Sequence, residues 1–208
     1  MAAAMMERAT KSTYEALMRR HIFQPLGMKS ATFDAPASNP LSPKQPIGHL
    51  PDGTPAPGDK APFAYLGKML RPSGAELRMH VADWSKFIRV HLGECVNSAQ
   101  LVCPATLARL HQGINVDDPA SGIGYAMGWI VAPAAAGGLD PKFGTIITHN
   151  GSDGVWLAEV TAFPDQDFAI AIMSNATVDR TGEDLGSAAF TEIKARLLSR
   201  FGPNIEST

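Results

Sequence analysis

The sequence predicts an α/β (α+β) fold, an antiparallel sheet flanked by helices, in a single domain over residues 1–208. Three observations predict it. Apolar segments of strand length, Thr145–His149, Val155–Phe163 and Phe168–Met173, follow one another through short connections, Asn150–Gly154 and Pro164–Asp167. Connections that short join antiparallel neighbours. Both faces of these segments are largely apolar, so helices are expected to cover the sheet. Apolar residues at helical spacing occur both before and after them.

Composition bounds the function. The chain is 45% hydrophobic and 18% charged, which is globular rather than disordered. A formal charge of -2 provides no basic field for nucleic acid. No apolar run is long enough to span a bilayer.

Taken in order, residues 2–10 read as a helix rich in Ala and Met. It begins abruptly, with no N-cap residue before it, which predicts that the natural chain starts further upstream. Ser12 and Glu15 have the spacing of a capping box, in which each side chain satisfies the other's free backbone amide. Tyr14, Leu17, Met18 and Ile22 then form an apolar stripe, ended by Pro25 and Gly27. Residues 29–72 differ: nine of the sixteen prolines lie between Pro36 and Pro72. Proline can continue neither a helix nor a ladder, so an irregular excursion is expected. Val81–Leu92 and Pro104–His111 read as helices, the second with Pro at its favoured first position. Gly122–Val131 reads as one glycine-laced strand, followed by an Ala/Gly/Pro loop over 132–141. After the three apolar strands, Glu183–Phe201 reads as a closing helix that Gly202-Pro203 terminates.

A self-contained hydrolase needs a nucleophile and a group that activates it. None of the thirteen serines has a lysine three residues later, and no Gly-x-Ser-x-Gly occurs. None of Tyr14, Tyr65 and Tyr125 has Asn or Ser two residues on. No complete catalytic set is legible. The feature that stands out is His149-Asn150-Gly151-Ser152, at the end of an apolar strand. By itself Asn-Gly is the strongest short hairpin signal, so a plain turn is the competing reading.

Several phrases, in order, resemble the later part of the serine β-lactamase-like family, which includes class C β-lactamases, DD-peptidases and related esterases. These are Ile22-Phe-Gln-Pro-Leu-Gly-Met28, the segment Pro72–Trp84, Gly124-Tyr-Ala-Met-Gly-Trp129, His149–Gly154 in place of Lys-Thr-Gly or His-x-Gly, and Pro164–Asn175. Between the first two helices Arg8-Ala-Thr-Lys-Ser-Thr departs from the family's usual Gly. The resemblance implies an incomplete β-lactamase/transpeptidase-like fold. The family's Ser-x-x-Lys and Tyr-x-Asn motifs lie upstream of the Pro-Leu-Gly-Met phrase, so nucleophile and base would sit on a segment outside this chain. That segment would also add strands and a helix to the same sheet.

Carried over, His149, Gly151 and Ser152 form the oxyanion-side wall, with the Ser152 amide donating to the substrate carbonyl. Asn150 is assigned to substrate binding. A neutral imidazole at 149 in place of lysine favours ester or peptide substrates over strict β-lactam specificity. The implied function is hydrolysis of an ester, amide or β-lactam through an acyl-enzyme, with this chain inactive alone. The alternative is a non-catalytic binding or assembly domain that keeps the pocket wall. Partners expected are a small-molecule substrate and, through Phe168–Met173 as an unpaired edge, another copy of the chain.

No cofactor or metal is predicted, since no ligand spacing exists among His21, His80, His91 and His111, which read as ordinary helix groups. Gly122-x-Gly124 does not open a helix after a strand, and Asp117-Asp118 reads as a solvated loop. Trp84, Trp129 and Trp156 read as core or pocket wall. Cys95 and Cys103 are either bridged or two small apolar residues; sequence cannot supply the bridging geometry. The amino end lacks the features of a signal peptide, and the resemblance is compatible with a periplasmic or secreted protein without assigning a compartment.

Overall fold

The computed structural model describes residues 2–33, 46–56, 69, 71–72, 74, 76–97, 99–114, 120–178, 184–185 and 189–203. Helix α1 (Ala2–Thr10) breaks at Lys11, whose φ is +57°. The next helix is capped one residue later than expected. Thr13, not Ser12, accepts from the Ala16 amide at 3.2 Å, and Glu7 of α1 accepts from the Tyr14 amide at 2.7 Å. The predicted Ser12–Glu15 box does not form because Glu15 turns to the Arg71 guanidinium, 2.5 Å away. A charged donor competes well against a neutral backbone amide. Hydrogen bonding to Arg71 holds the Glu15 carboxyl below its ordinary range.

From there α2 (Tyr14–Met18) runs through a π turn (Arg19–Phe23) into a last turn, α3 (Gln24–Leu26). Pro25 lies inside this last turn rather than ending it. A proline there lacks the amide and crowds the carbonyl four residues back, and the wide π turn gives it room. Gly27, at φ +63°, ends the run.

Helix α4 (Val81–His91) packs beside this unit, where Phe23, Leu26, Met28, Phe33, Val90 and Val96 form one core cluster. Asp83 locks α4 in place. Its carboxylate accepts from the Ser30 amide at 2.7 Å, the Ser30 hydroxyl at 2.6 Å and Lys86 Nζ at 2.5 Å. Burial pushes the carboxyl up, but the Lys86 and Ser30 donors outweigh it and hold it at about 2. Helix α5 (Pro104–Leu110) follows where the sequence places it.

A five-stranded antiparallel sheet, in the order β3-β4-β5-β6-β7, forms the centre: β3 (Gly124–Ala126), β4 (Trp129–Pro133), β5 (Thr145–Ser152), β6 (Leu157–Phe163) and β7 (Phe168–Ser174). Helices cover both faces. On one, Ile88 of α4 packs with Trp129, Ile147, Val160 and Ala162. On the other, Leu198 of α6 (Ala189–Phe201) packs on the cluster of Ala132, Ala134, Phe143, Ile146 and Phe163. Glu159, buried on β6, is paired to Lys194 of α6 at 2.5 Å.

Several boundaries differ from the sequence reading. Gly122–Val131 is not one strand but the β3–β4 hairpin, with Ala126 opposite Trp129 and only Met127-Gly128 between them. Both loop residues have positive φ, +50° and +98°, as a type I′ turn requires. Methionine is a poor residue for that conformation, so sequence does not announce the turn. The 132–141 stretch holds two 3₁₀ turns, Ala134–Gly137 and Pro141–Phe143, rather than plain loop. Asp184 bridges to Val178 and Leu185 is a turn, so the closing helix begins later than Glu183. Part of the proline-rich stretch is ordered as a ribbon of β1 (Gly48–His49) and β2 (Pro55–Ala56). Gly48 is required there, since an added Cβ would meet Trp156 Nε1 at 2.6 Å and Val155 at 3.0 Å. Most of 34–45 and 57–70, with Asp117-Asp118, lies outside the described residues. Cys95 and Cys103 are exposed and unbridged.

Candidate active site

The four residues singled out by sequence lie together at the end of β5. They are strand, not turn. Asn150 pairs with Glu159, Gly151 with Ala158 and Ser152 with Leu157 of β6. The turn comes later, where Asp153 Oδ1 accepts from the amides of Val155 at 3.1 Å and Trp156 at 2.9 Å. Two amides collected by one carboxylate outweigh the local preference of Asn-Gly, a side-chain-directed turn of the Asx kind.

Strand β4 pairs with β5 only from Pro133↔Thr145 to Ile130↔Thr148. Residues 149–152 therefore run past the β4 pairing, with one backbone edge on β6 and the other without a strand partner among the described residues. Residues alternate between the faces of a strand, so His149 and Gly151 share the face of Ile147, on the α4 side, while Asn150 and Ser152 point the other way. All four are exposed. A Cβ added at Gly151 would meet nothing within 4 Å. Packing within the described chain does not demand glycine there; an approaching ligand or partner backbone would.

One residue of this cluster was not picked from sequence. Tyr125 of β3, 43% exposed, brings its Oη to 3.4 Å from His149 Nε2, with the rings edge to face at 6.2 Å. The Gly124-Tyr-Ala-Met-Gly-Trp129 phrase contained the signal, but reading it as one extended strand hid the hairpin that brings Tyr125 back toward β5. The Ser152 hydroxyl is occupied locally, accepting from the Gly154 amide at 2.9 Å. Nothing in this geometry activates Ser152 as a nucleophile, which would need a base within hydrogen-bond reach.

The other candidates fall elsewhere. His91 and His111 meet each other, Nδ1 to Nε2 at 3.0 Å, in place of being independent helix groups. Trp84 and Trp129 are core residues, as expected. Among the described residues no group of three or more His, Cys, Asp or Glu could hold a metal. No helix among them is long and apolar enough to cross a membrane.

The described residues form an α+β domain whose central sheet carries an exposed His-Asn-Gly-Ser strand end. The beta-lactamase family model matches residues 1–190, and the chain belongs to that family of serine hydrolases. Its fold is similar to a beta-lactamase/D-alanine carboxypeptidase from Pseudomonas syringae, with TM-score 0.69 and 14% identity over 97% of this chain and 57% of that one. D-alanine carboxypeptidase AmpC from Burkholderia cenocepacia aligns at TM-score 0.65 and 18% identity, over 93% of this chain and 58% of that one. The octameric penicillin-binding protein homologue from Pyrococcus abyssi aligns at TM-score 0.65 and 20% identity, over 94% of this chain and 40% of that one. The chain thus spans between two fifths and three fifths of these solved relatives. No match is found among curated proteins.

Proposed function

We propose that this chain carries the oxyanion-side wall of a serine hydrolase that cleaves an ester, amide or β-lactam through an acyl-enzyme, and that polypeptide outside these 208 residues supplies the nucleophile. The observation that carries this reading is the edge of β5 at residues 149–152, without a strand partner among the described residues. It presents backbone to an extended substrate, beside a glycine that leaves the approach clear. The Ser152 amide is the donor assigned to the substrate's carbonyl oxygen as negative charge develops there, with Asn150 alongside as a substrate contact. Losing one such donor costs about 100-fold or more in rate. His149 stands next to the same edge, with a ring that can donate or accept a hydrogen bond without a fixed charge.

The test is incubation of the isolated chain with a chromogenic ester, a chromogenic β-lactam and a fluorophosphonate serine probe, read by absorbance and intact mass. The expected result is no stoichiometric adduct. A polypeptide extended upstream in frame, and carrying Ser-x-x-Lys, is expected to acylate. Stoichiometric acylation of a serine within the 208 residues would overturn the reading.

A second reading, a non-catalytic assembly domain, is favoured by one observation. Strand β7 is an outer strand of the sheet, seven residues long and rich in Ile, Ala and Phe. Such an edge recruits another strand. Light scattering on the eluting chain tests it: a dimer or larger species supports assembly through β7, and a stable monomer across micromolar concentrations counts against it.

A further inference from the structure

His91 and His111 are joined by a contact that the hydrolase reading does not use. His91 is the last residue of α4 and only 6% exposed; His111 caps α5 and is half-buried. Their facing nitrogens are 3.0 Å apart. The His91 ring also lies edge to face against Phe87 at 4.9 Å and Trp129 at 4.8 Å. Helix α5 itself has no buried side chain. Among the described residues this imidazole pair ties it to α4. A second tie follows it, where the Ile114 amide donates to the Tyr125 carbonyl at 3.2 Å.

We infer that His91 and His111 form an acid-released latch, which holds α5 against α4 and β4 while neutral and frees it on protonation. The chemistry is one of proton counting. Two facing ring nitrogens share one proton, one ring donating and the other accepting. A first added proton places a cation among Phe87, Trp129 and a second imidazole. The next sets N–H against N–H and breaks the contact. Among the described residues no carboxylate is hydrogen-bonded or ion-paired to either ring. On α4, Asp83 is paired to Lys86, and Arg89 to Glu94 beyond the helix. Helix α5 contributes Arg109, a like charge, and β4 has no titratable residue.

The surroundings of the two rings act in the same direction. Burial, with the charge of His111 adding to it, pushes His91 down from 6.5 to about 4, and burial pushes His111 down as well. The sign follows. An opened α5 binds protons more tightly than the docked one, so docking is complete above 6.5 and weakens as pH falls toward 4. Opening would reshape a cavity of about 310 Å³ that Thr106, Arg109, Leu110 and Gln112 of this segment share with Ile114 and Met127. Met127 sits at the tip of the hairpin that carries Tyr125, so the latch reaches one side of the β5 edge. The device does not depend on the hydrolase reading.

Hydrogen–deuterium exchange of residues 104–114, corrected for intrinsic pH effects, tests it between pH 7 and 4. The expected result is protection lost more steeply than about tenfold per pH unit below 6.5, as for two linked protons, while β5 and β6 stay protected. His111→Gln, which keeps a hydrogen-bonding group but cannot titrate there, is expected to reduce that dependence to the single linked proton of the buried His91. Should this variant not fold, imidazole NMR titration of the unaltered chain decides. Coupled pKa values below 6.5 for both rings support the latch; two independent titrations near 6.5 overturn it. Protection of 104–114 that does not change with pH, or the same loss in His111→Gln, also overturns it.

Discussion

Lys194→Met is expected to destabilise the fold by about 3–5 kcal/mol, because it strands the carboxylate of Glu159 inside the protein. Glu159 is 7% exposed, and Lys194 Nζ, 2.5 Å from its Oε1, is its ion-pair partner. Removing one member of a buried pair leaves the desolvation cost of the other with nothing to offset it. Removing both is different. The double variant Glu159→Leu, Lys194→Met replaces the pair with apolar side chains of similar length and is expected to recover most of the loss. Urea denaturation of the two variants measures this directly. If the single variant loses under 1 kcal/mol, the pair is solvated and the assignment fails. The pair also matters to the site, since Glu159 is the register partner of Asn150. It fastens α6 to the strand that supports the exposed edge of β5.

The second large effect is at the opposite end of β6. Phe163→Ala is expected to cost about 3–5 kcal/mol, the usual range for emptying a phenylalanine site in a packed core. Phe163 is fully buried, with Phe143 at 5.2 Å and Phe168 at 5.9 Å between ring centres. Ala132, Ala134 and Ile146 complete the cluster, with Leu198 packed against it from α6. Ala132 and Ala134 have too little side chain to fill the space left behind. For a domain of this size about 2–4 °C is lost per kcal/mol, and Tm should fall by roughly 10 °C. Calorimetry checks it. A shift under 2 °C would mean the cluster repacks. The geometry at residues 149–152 should hardly change, because Phe163 lies six residues from Leu157, the partner of Ser152.

The fold class was legible because apolar patterning is local and repeats. Strands β5, β6 and β7 appear as dense apolar runs, and α5 opens on a proline at its favoured first position. The candidate site was legible as a position in the chain, through ordered phrases around His149–Ser152. What that position looks like was not legible. Asn150-Gly151 has a strong preference for a turn, yet β6 pairs with it and Asp153 draws the turn three residues downstream. Met127 has no preference for positive φ, yet closing the hairpin against Trp129 requires it.

By itself the sequence determined the antiparallel sheet between helices, the family phrases and the lack of a Ser-x-x-Lys pair, because each is written in neighbouring residues. Only the tertiary structure decided that the β4–β5 pairing ends at Ile130↔Thr148, short of 149–152, that Tyr125 returns to His149, and that His91 meets His111. These depend on strand register and on side chains 20 or more residues apart. Contacts at that separation are selected by the packing of the whole chain, and no local pattern encodes them.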